Sequence, residues 1–236
     1  MNGFEKAITE KMQSIYPHIT LDAPVDSSFE FEKMKKKLFK KYPEKIVAIA
    51  PAHSKQIIIQ TADSENPAAV YFRAINAVNE AQVSTLEKKL THTHSLKYAL
   101  NNQQIIIGKT LAKNLDVTVG DTCTLLFSYS DELSTKESSF ESIKVVIGDI
   151  MNTGIVQYDK YLIFGSHELM KELTGQELVT QIGIKLSEGC DDVTFMKELE
   201  IAFNVEANSW KTLYPALVSA SKLEKYVMLF LLALIK

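Results

Sequence analysis

Residues 104–127 read QIIIGKTLAKNLDVTVGDTCTLLF and hold a strand, a helix and a second strand in succession. The apolar run Gln104–Ile107 predicts a buried strand, and Gly108 ends that strand so that a helix can begin. The helix is predicted over Lys109–Leu115, and a turn then leads into a strand over Thr122–Phe127. This segment therefore predicts a sheet whose strands are joined by short helices and turns.

A polar segment comes next, Ser128–Ser142 (SYSDELSTKESSFES), and the apolar strand Ile143–Ile150 follows it. Two apolar strands around a long polar segment predict a hairpin that projects beyond its sheet. The segment has four acidic side chains and a single lysine, so the tip of the hairpin is acidic. Its candidate partner-binding residues are Asp131, Glu132, Leu133, Lys136, Glu137 and Phe140.

Both ends of the chain have a different pattern, in which a strand, a helix and another strand follow one another. Each helix has apolar residues at helical spacing, and each strand is short. The predicted elements are strand His18–Leu21, helix Phe29–Tyr42 and strand Ile46–Ala50 near the start, and strand Thr180–Leu186, helix Asp191–Phe203 and strand Val205–Ser209 near the end.

A strand, helix, strand unit at each end of the chain predicts an α+β fold with a split, ferredoxin-like α/β lobe. The middle of the chain would then be an inserted, mainly β lobe. We place the first lobe at residues 1–84 and 179–236, and the inserted lobe, with its hairpin at 128–142, at residues 85–178.

Local signals predict where several elements begin and end. Asp26 or Ser27 is expected to cap the helix that follows, and Pro51 is expected to separate two strands, since proline removes a backbone donor. The helix predicted over Ser166–Leu173 should end at Gly175.

Net charge and composition argue against a nucleic-acid-binding protein. The formal net charge is −3 and the pI is about 6.0, whereas nucleic-acid binders present a clustered basic face. The one basic cluster, Lys33–Lys41, lies in an amphipathic stretch and is best explained as the solvated face of a helix. A patch for phosphate or lipid headgroups is the alternative for this cluster.

Known catalytic, cofactor and metal motifs are incomplete in this sequence. Gly108-Lys109-Thr110 lacks the upstream glycine of a phosphate-binding loop, and neither Cys123 nor Cys190 has an adjacent histidine. His92-Thr93-His94 would place two imidazoles on one strand face, but no third ligand stands at a suitable spacing. We therefore expect no catalytic residue, no cofactor and no metal, and hence no enzyme. Pairing of the two cysteines is left open.

Tyr226–Ile235 (YVMLFLLALI) is apolar throughout and follows a polar, helical lead-in at Ser219–Lys225. The run is about half the length of ~20 apolar residues that a helix needs to cross a bilayer. Two interpretations stand at this point: a helix entering a membrane, or a buried C-terminal core helix.

Several segments resemble the periplasmic domain of lipoprotein-releasing ABC transporter permeases of the LolC/LolE type. They are Met1–Glu5 (MNGFE), Ile105–Asp121 (IIIGKTLAKNLDVTVGD), Gly154–Tyr161 (GIVQYDKY) and Ser219–Leu231 (SASKLEKYVMLFL). The resemblance covers nearly the whole chain in the expected order. The second segment is typical of the wider superfamily, which includes MacB-like macrolide exporters and FtsX-like permeases, whereas the first and last are typical of the lipoprotein-releasing branch.

The resemblance implies a periplasmic domain attached to the inner membrane, with a Porter lobe formed by the chain ends and an inserted Sabre lobe. It implies four partners: lipoprotein cargo, a periplasmic lipoprotein carrier, a second permease subunit in a homo- or heterodimer, and a cytoplasmic ATPase reached through the membrane helices. The residues that would lead into the membrane are Phe4, Tyr226, Leu229, Phe230, Leu231 and Leu232.

The implied function is to relay ATP-driven motion, so that lipoproteins are extracted from the inner membrane and passed to the carrier. In the carrier-docking subunit of the family, a hook at the position of the hairpin captures the carrier. The hairpin of this chain lacks the prolines and arginines of that hook, so carrier docking, cargo contact and a solvated tip all stay open. The alternatives for the whole chain are a related MacB- or FtsX-type mechanotransmitting permease and a free-standing soluble binding protein.

Overall fold

The computed structural model describes residues 11–13, 15–61, 67–101, 103–129 and 139–213. The strands in this part of the chain are β1 Ile19–Asp22, β2 Ile46–Gln60, β3 Ala68–Ile75, β4 Gln104–Gly108, β5 Thr122–Tyr129, β6 Ser139–Met151, β7 Leu162–Ser166, β8 Gln181–Leu186 and β9 Glu206–Asn208. The α-helices are α1 Phe31–Lys41, α2 Ala77–Val83, α3 Leu96–Ala99, α4 Lys109–Leu115, α5 Val156–Tyr161, α6 His167–Thr174, α7 Asp192–Phe203 and α8 Trp210–Leu213, with a 3₁₀ helix at Leu86–Lys89.

Strands from both chain ends form an antiparallel sheet in the order β9, β1, β8, β2. Numbered along the chain, these are the fourth, first, third and second strands of two strand, helix, strand units, which is the ferredoxin-like arrangement. Helices α1 and α7 pack on one face of this sheet, where Leu38, Phe195 and Leu199 are buried against Ile19 and Ile184. The predicted split α/β lobe is confirmed.

The remaining strands close into a ring in the order β2, β3, β7, β4, β6, β5 and back to β2. β3 is parallel to β7 and β4 is parallel to β6, and the other neighbours in the ring are antiparallel. Apolar residues fill the ring, among them Phe72, Ile107 and Leu125, with Leu111 of α4 and Leu169 of α6 packed against them. Closure of the ring pairs each of its strands with a neighbour on both sides over at least part of its length, which reduces the exposed strand edge.

β2 belongs to both the sheet and the ring because it is one continuous strand of 15 residues. The predicted break at Pro51 is wrong. Pro51 pairs in register with Ile182 of β8, and its carbonyl oxygen lies 3.4 Å from Nε2 of His167. A proline is accommodated here because β3 begins to pair with β2 only at Ala52.

Strand pairing also bears on the division into lobes. β3 lies before residue 85, which the sequence places in the first lobe, yet it pairs with β7 and β2 in the ring. The boundaries at residues 84/85 and 178/179 stay a prediction.

Helix ends follow the local signals at α6 and α7 but not at α1. Ser166 caps α6 and Gly175, with φ of 71°, ends it; Asp191 caps α7 by accepting from the backbone of Thr194. Neither Asp26 nor Ser27 caps α1, which begins only at Phe31. The reason is that the preceding loop is tied to another segment: the N–H groups of Ala23 and Phe29 donate to the carbonyl oxygens of Thr180 and Val179 at 2.8 and 2.7 Å.

Candidate functional site

The predicted hairpin exists as the antiparallel pair β5 and β6. Their backbones stay in register from Thr122, opposite Val146, to Tyr129, opposite Ser139. The strands therefore extend into the polar segment, and Phe140 is part of β6, opposite Ser128. Five of the candidate contact residues lie outside the described residues: Asp131, Glu132, Leu133, Lys136 and Glu137.

The end of the N-terminal helix packs against the ring, and we call this packing site, around Met12 and Ile15, the helix seat. Residues 11–13 are helical, and the N–H of Tyr16 donates to the carbonyl oxygen of Met12 at 3.0 Å. Met12 and Ile15 are 2% and 0% exposed and join a core cluster with Ile75 of β3 and Phe164 of β7. The remainder of the helix predicted over Gly3–Tyr16 lies outside the described residues.

Charged and aromatic groups lie beside this seat. The guanidinium carbon of Arg73 is 5.6 Å from the ring centre of Tyr16, and the ring of Tyr158 is 5.5 Å from that of Tyr16. Arg73 is 3% exposed and Glu80 is fully buried. Burial raises the pKa of Glu80, an effect that the nearby Arg73 opposes. A buried cation held against an aromatic face resists displacement, so the helix end is fixed by more than apolar packing.

A cavity with a volume of about 660 Å³ lies at the junction of the sheet and the ring. Its walls come from the loop before α1, from β2 and from the segment leading into β8. The lining residues are Ala23, Pro24, Val25, Asp26, Ser27, Ser28, His53, Lys55, Gln176, Glu177, Leu178 and Thr180. Glu177 also lines two further cavities, of about 380 and 340 Å³, and His167 is in the walls of both of these.

His53 is the buried polar group of this cavity. It is 2% exposed, its Nδ1 lies 2.9 Å from Oγ1 of Thr180, and its Nε2 has no hydrogen-bond partner. Burial, assisted by the positive charge of Lys55 and by His167, lowers the pKa of His53 to about 4. The imidazole is therefore neutral at neutral pH and has one ring nitrogen left for a further hydrogen bond.

The pair of histidines at 92 and 94 does not form a metal site. Residues 91–93 form a loop around the buried carboxylate of Asp149, so the two imidazoles do not share a strand face. The N–H groups of Thr91, His92 and Thr93 all donate to that carboxylate, at 3.1, 3.2 and 2.7 Å. Within the described ranges, no group of three or more His, Cys, Asp or Glu side chains could hold a metal ion.

The residues predicted to lead into a membrane all lie outside the described residues: Phe4, Tyr226, Leu229, Phe230, Leu231 and Leu232. Among the helices that the structure does describe, none combines the length and apolar character needed to cross a bilayer.

Cys123 and Cys190 are free thiols, and burial, assisted by Asp121, raises the pKa of Cys123 to about 11.

Sequence reasoning missed the residues that make the cavity and the helix seat. His53 and Lys55 were passed over because the break expected at Pro51 placed them at a strand end. The available signal was a histidine and a lysine inside the long apolar stretch IVAIAPAHSKQIII, at 46–59. Arg73 carried a similar signal, as the one charged residue of the apolar strand β3.

Comparison with known proteins supports the resemblance found in the sequence. Over its whole length the chain is 27% identical to the lipoprotein-releasing system transmembrane protein LolC of Buchnera aphidicola subsp. Schizaphis graminum, and 26% identical to LolC of Xylella fastidiosa strain Temecula1. The chain spans 57% and 56% of the lengths of these two relatives. No family model matches the chain.

Among solved structures, the periplasmic region of MacB from Actinobacillus actinomycetemcomitans is similar in fold. The TM-score is 0.53 at 10% sequence identity, over 91% of this chain and 97% of that one. The predicted resemblance to LolC-type proteins is thus confirmed along the full chain, and the predicted α+β fold is confirmed by the MacB domain.

Proposed function

We propose that this chain is the periplasmic domain of an inner-membrane ABC transporter permease that extracts lipoproteins and passes them to a periplasmic carrier. The observation that carries the proposal is the whole-length similarity to LolC. On this proposal the partners are the lipoprotein cargo, the carrier, a second permease subunit and a cytoplasmic ATPase. The domain itself makes and breaks no covalent bond.

The energetics of extracting a lipoprotein from a membrane favour a domain that transmits motion. Each buried CH₂ of an acyl chain contributes about 0.8 kcal/mol to membrane attachment, so release of a lipid anchor costs tens of kcal/mol. ATP hydrolysis on the other side of the membrane is the proposed source of this energy, and a helix continuous with a membrane span is the proposed connection. A hydrogen-bonded helix with a buried end can pass a tilt to the body on which it is seated.

The seat of the N-terminal helix is the part of the described structure that suits this role. Met12 and Ile15 are buried, and Tyr16 stacks over Arg73, so the helix end and the body are expected to move together. Because the same cluster includes residues of β3 and β7, motion of the helix would reach the ring that carries the β5–β6 hairpin.

Replacing Ile15 by alanine in the full-length permease is expected to uncouple ATP hydrolysis from lipoprotein release. The lost packing weakens the seat by about 2 to 4 kcal/mol, because the buried side chain leaves a cavity. We expect ATP-dependent release from proteoliposomes to fall by about fivefold or more, with ATP hydrolysis within about twofold of the original rate. Release and hydrolysis are measured in the same vesicles.

Ile201→Ala is the matched control, since Ile201 is 87% exposed on α7 and its truncation leaves no cavity. Both variants are first checked for a folded domain by circular dichroism. Unchanged release with the Ile15 variant would contradict the proposed coupling through the helix seat.

The hairpin is our proposed contact for the carrier, and shortening it tests this directly. A two-residue Asn-Gly turn in place of residues 130–138 keeps the pair Tyr129 and Ser139 and removes the acidic tip. We expect capture of the purified carrier by the full-length permease to fall by about tenfold or more, as for loss of an interface hot spot.

A glycine–serine segment of the original length in place of residues 130–138 separates loss of side chains from loss of length. If the carrier is captured equally well by all three proteins, the tip is only a solvated turn. If lipoprotein binding falls instead of carrier binding, the tip contacts cargo.

The fold similarity to MacB keeps a second candidate, a MacB- or FtsX-type permease that transmits motion to another substrate. Such a protein would hydrolyse ATP without releasing lipoproteins in the same vesicle assay. A free-standing soluble binding protein is the third candidate, and it predicts that the coding sequence stops where residues 226–235 end instead of continuing as a membrane span.

A further inference from the structure

One edge of β2 is unpaired between the sheet and the ring. On the first side of β2, β3 pairs continuously from Ala52 to Ile59. On the second side, β8 pairs as far as Ala52, and β5 begins to pair only at Ile58. On this second side, no strand of the described chain pairs with residues 53–57. We call this five-residue stretch the β2 notch.

An unpaired strand edge presents backbone N–H and C=O groups from alternate residues. Five extended residues span about 17 Å, which is enough for a short peptide strand to bind by β-sheet addition. Because backbone groups make these bonds, such a site accepts an extended segment whose sequence is only loosely constrained. The notch therefore fits an extended peptide better than a small, compact ligand.

The large cavity lies beside the notch and supplies side-chain contacts. His53 and Lys55 belong to the notch and also line the cavity. The imidazole of His53 is 2% exposed and its Nε2 has no hydrogen-bond partner, so a buried polar atom is left for a ligand to satisfy. This is an observation independent of the unpaired backbone.

Lys55 is the one cationic side chain among the described charged residues that line this cavity, beside Asp26 and Glu177, and it offers a contact for a carboxylate. Among the described residues, Lys55 has no carboxylate within ion-pair distance, although its side chain is half-buried. Glu177 is already paired with Lys171 at 2.7 Å, and Asp26 lies in the exposed loop that forms another wall. A carboxylate of the bound segment would therefore pair with Lys55.

The rim of the cavity adds an apolar contact. Val25 is 91% exposed in the loop before α1, the largest exposed fraction of any large hydrophobic residue described, and half-buried Leu178 also lines the cavity. An exposed valine at the mouth of a polar cavity is suited to cover an apolar side chain of a bound segment.

We propose that the β2 notch binds an extended, acidic polypeptide segment of the lipoprotein cargo by strand addition, with Lys55 pairing a carboxylate and Val25 covering an apolar side chain. This inference rests on the proposed function for the identity of the cargo. It assigns to the domain a direct contact with the polypeptide of the cargo, separate from the lipid anchor and from the hairpin.

Photocrosslinking in the full-length permease tests the proposal. p-Benzoylphenylalanine is placed at Val25, and at Ile201 as an exposed control on α7. The probe is one purified lipoprotein with an acidic N-terminal segment, used in lipidated form and in lipid-free form. We expect both forms to crosslink at position 25 at least tenfold more than at position 201. Equal yields at the two positions, or crosslinking of the lipidated form alone, would overturn the proposal.

Charge reversal provides the matched comparison. Lys55→Glu is expected to lower the crosslink yield at position 25 by about tenfold, as for loss of a charge-assisted contact. Lys185→Glu, the same change at a half-buried lysine of β8 that does not line the cavity, should leave the yield unchanged. Equal losses in the two variants would mean that only long-range charge matters, and would overturn the assigned role of Lys55.

Strand addition has a readout of its own. Backbone amides of residues 53–57 should exchange with solvent at least tenfold more slowly when the lipid-free lipoprotein is bound, because new hydrogen bonds protect them. Unchanged exchange in a crosslinked complex would overturn strand addition. ATP-dependent lipoprotein release is measured on the same preparations. If release persists while the notch shows no binding, the notch inference fails and the proposed function stands.

Discussion

Replacing Gly108 by alanine is expected to destabilise the domain by more than about 3 kcal/mol, near the upper end for overpacking a core. Gly108 ends β4 and precedes α4, with φ of −74° and ψ of 150°, a conformation that alanine adopts freely. The cost is therefore steric. A Cβ at this position would overlap the backbone of Asp159 in α5, at its carbonyl oxygen, Cα and carbonyl carbon.

Relief of this overlap is difficult because α5 is itself held in place. The carboxylate of Asp159 accepts from the N–H and Oγ1 of Thr153 at 2.9 and 2.8 Å, and Asp159 is 4% exposed. A shift of α5 would break these bonds. Urea unfolding of the purified domain measures the loss, and a melting temperature lower by about 6 to 12 °C is the expected thermal counterpart.

Gly189→Ala is a control in which the strain comes from the backbone conformation and not from a steric overlap. Gly189 has φ of 81°, and a Cβ there would meet no atom within 4 Å. Alanine at this position costs about 1 to 2 kcal/mol for the left-handed backbone alone. If Gly108→Ala destabilises the domain no more than Gly189→Ala does, the close approach of β4 and α5 is not a stabilising constraint.

Replacing Asp149 by asparagine is expected to destabilise the domain by about 2 to 4 kcal/mol, because a buried acceptor of several hydrogen bonds is partly replaced by a donor. The Asp149 side chain is fully buried, and its Oδ2 accepts from the N–H and Oγ1 of Thr93 at 2.7 and 2.9 Å. Its Oδ1 accepts from the backbone of Thr91, His92 and Ile150. An amide NH₂ group would face N–H donors on whichever side it lies.

The same carboxylate should contribute to acid sensitivity. Burial raises the pKa of Asp149, but the hydrogen bonds from Thr93, Ile150 and Thr91 together lower it below the ordinary carboxyl value. A lowered folded-state pKa gives stability that is present above the unfolded pKa, about 3.9, and is lost as pH falls through the folded value. Below about pH 4, the original protein should therefore lose stability more steeply with falling pH than the asparagine variant.

Asp121→Asn serves as the matched control for Asp149. Asp121 also accepts from a backbone N–H and a hydroxyl, both of Thr118, but it is exposed. Loss of such an exposed capping interaction costs about 1 kcal/mol. Urea unfolding at neutral pH compares the two variants. Equal losses of stability in the two variants would show that neither the burial of Asp149 nor its number of hydrogen-bond donors increases its contribution to stability.

Much of the fold follows from local sequence pattern. The strand and helix over 104–115, the hairpin strands on either side of the polar segment, and α6 with its stop at Gly175 were all predictable. These features depend on residues close together in the chain, where periodicity, capping and glycine conformation act directly.

The candidate site was much less predictable. The cavity joins three segments that are far apart in sequence, at residues 23–28, 53–55 and 176–180. Burial of His53 and the open edge of β2 arise only where these segments meet. The hairpin contacts named from the sequence stay a prediction, since five of the six lie outside the described residues.

By itself, the sequence determined many of the strands and helices, the ferredoxin-like units at the two ends and the resemblance to LolC-type permeases. Only the tertiary structure decided that β2 runs unbroken through Pro51, that six strands close into a ring, and that residues 53–57 keep an unpaired edge. The physical reason is that strand pairing is a long-range choice. A strand pattern specifies which face is buried, whereas the neighbour at each edge depends on how distant segments pack together.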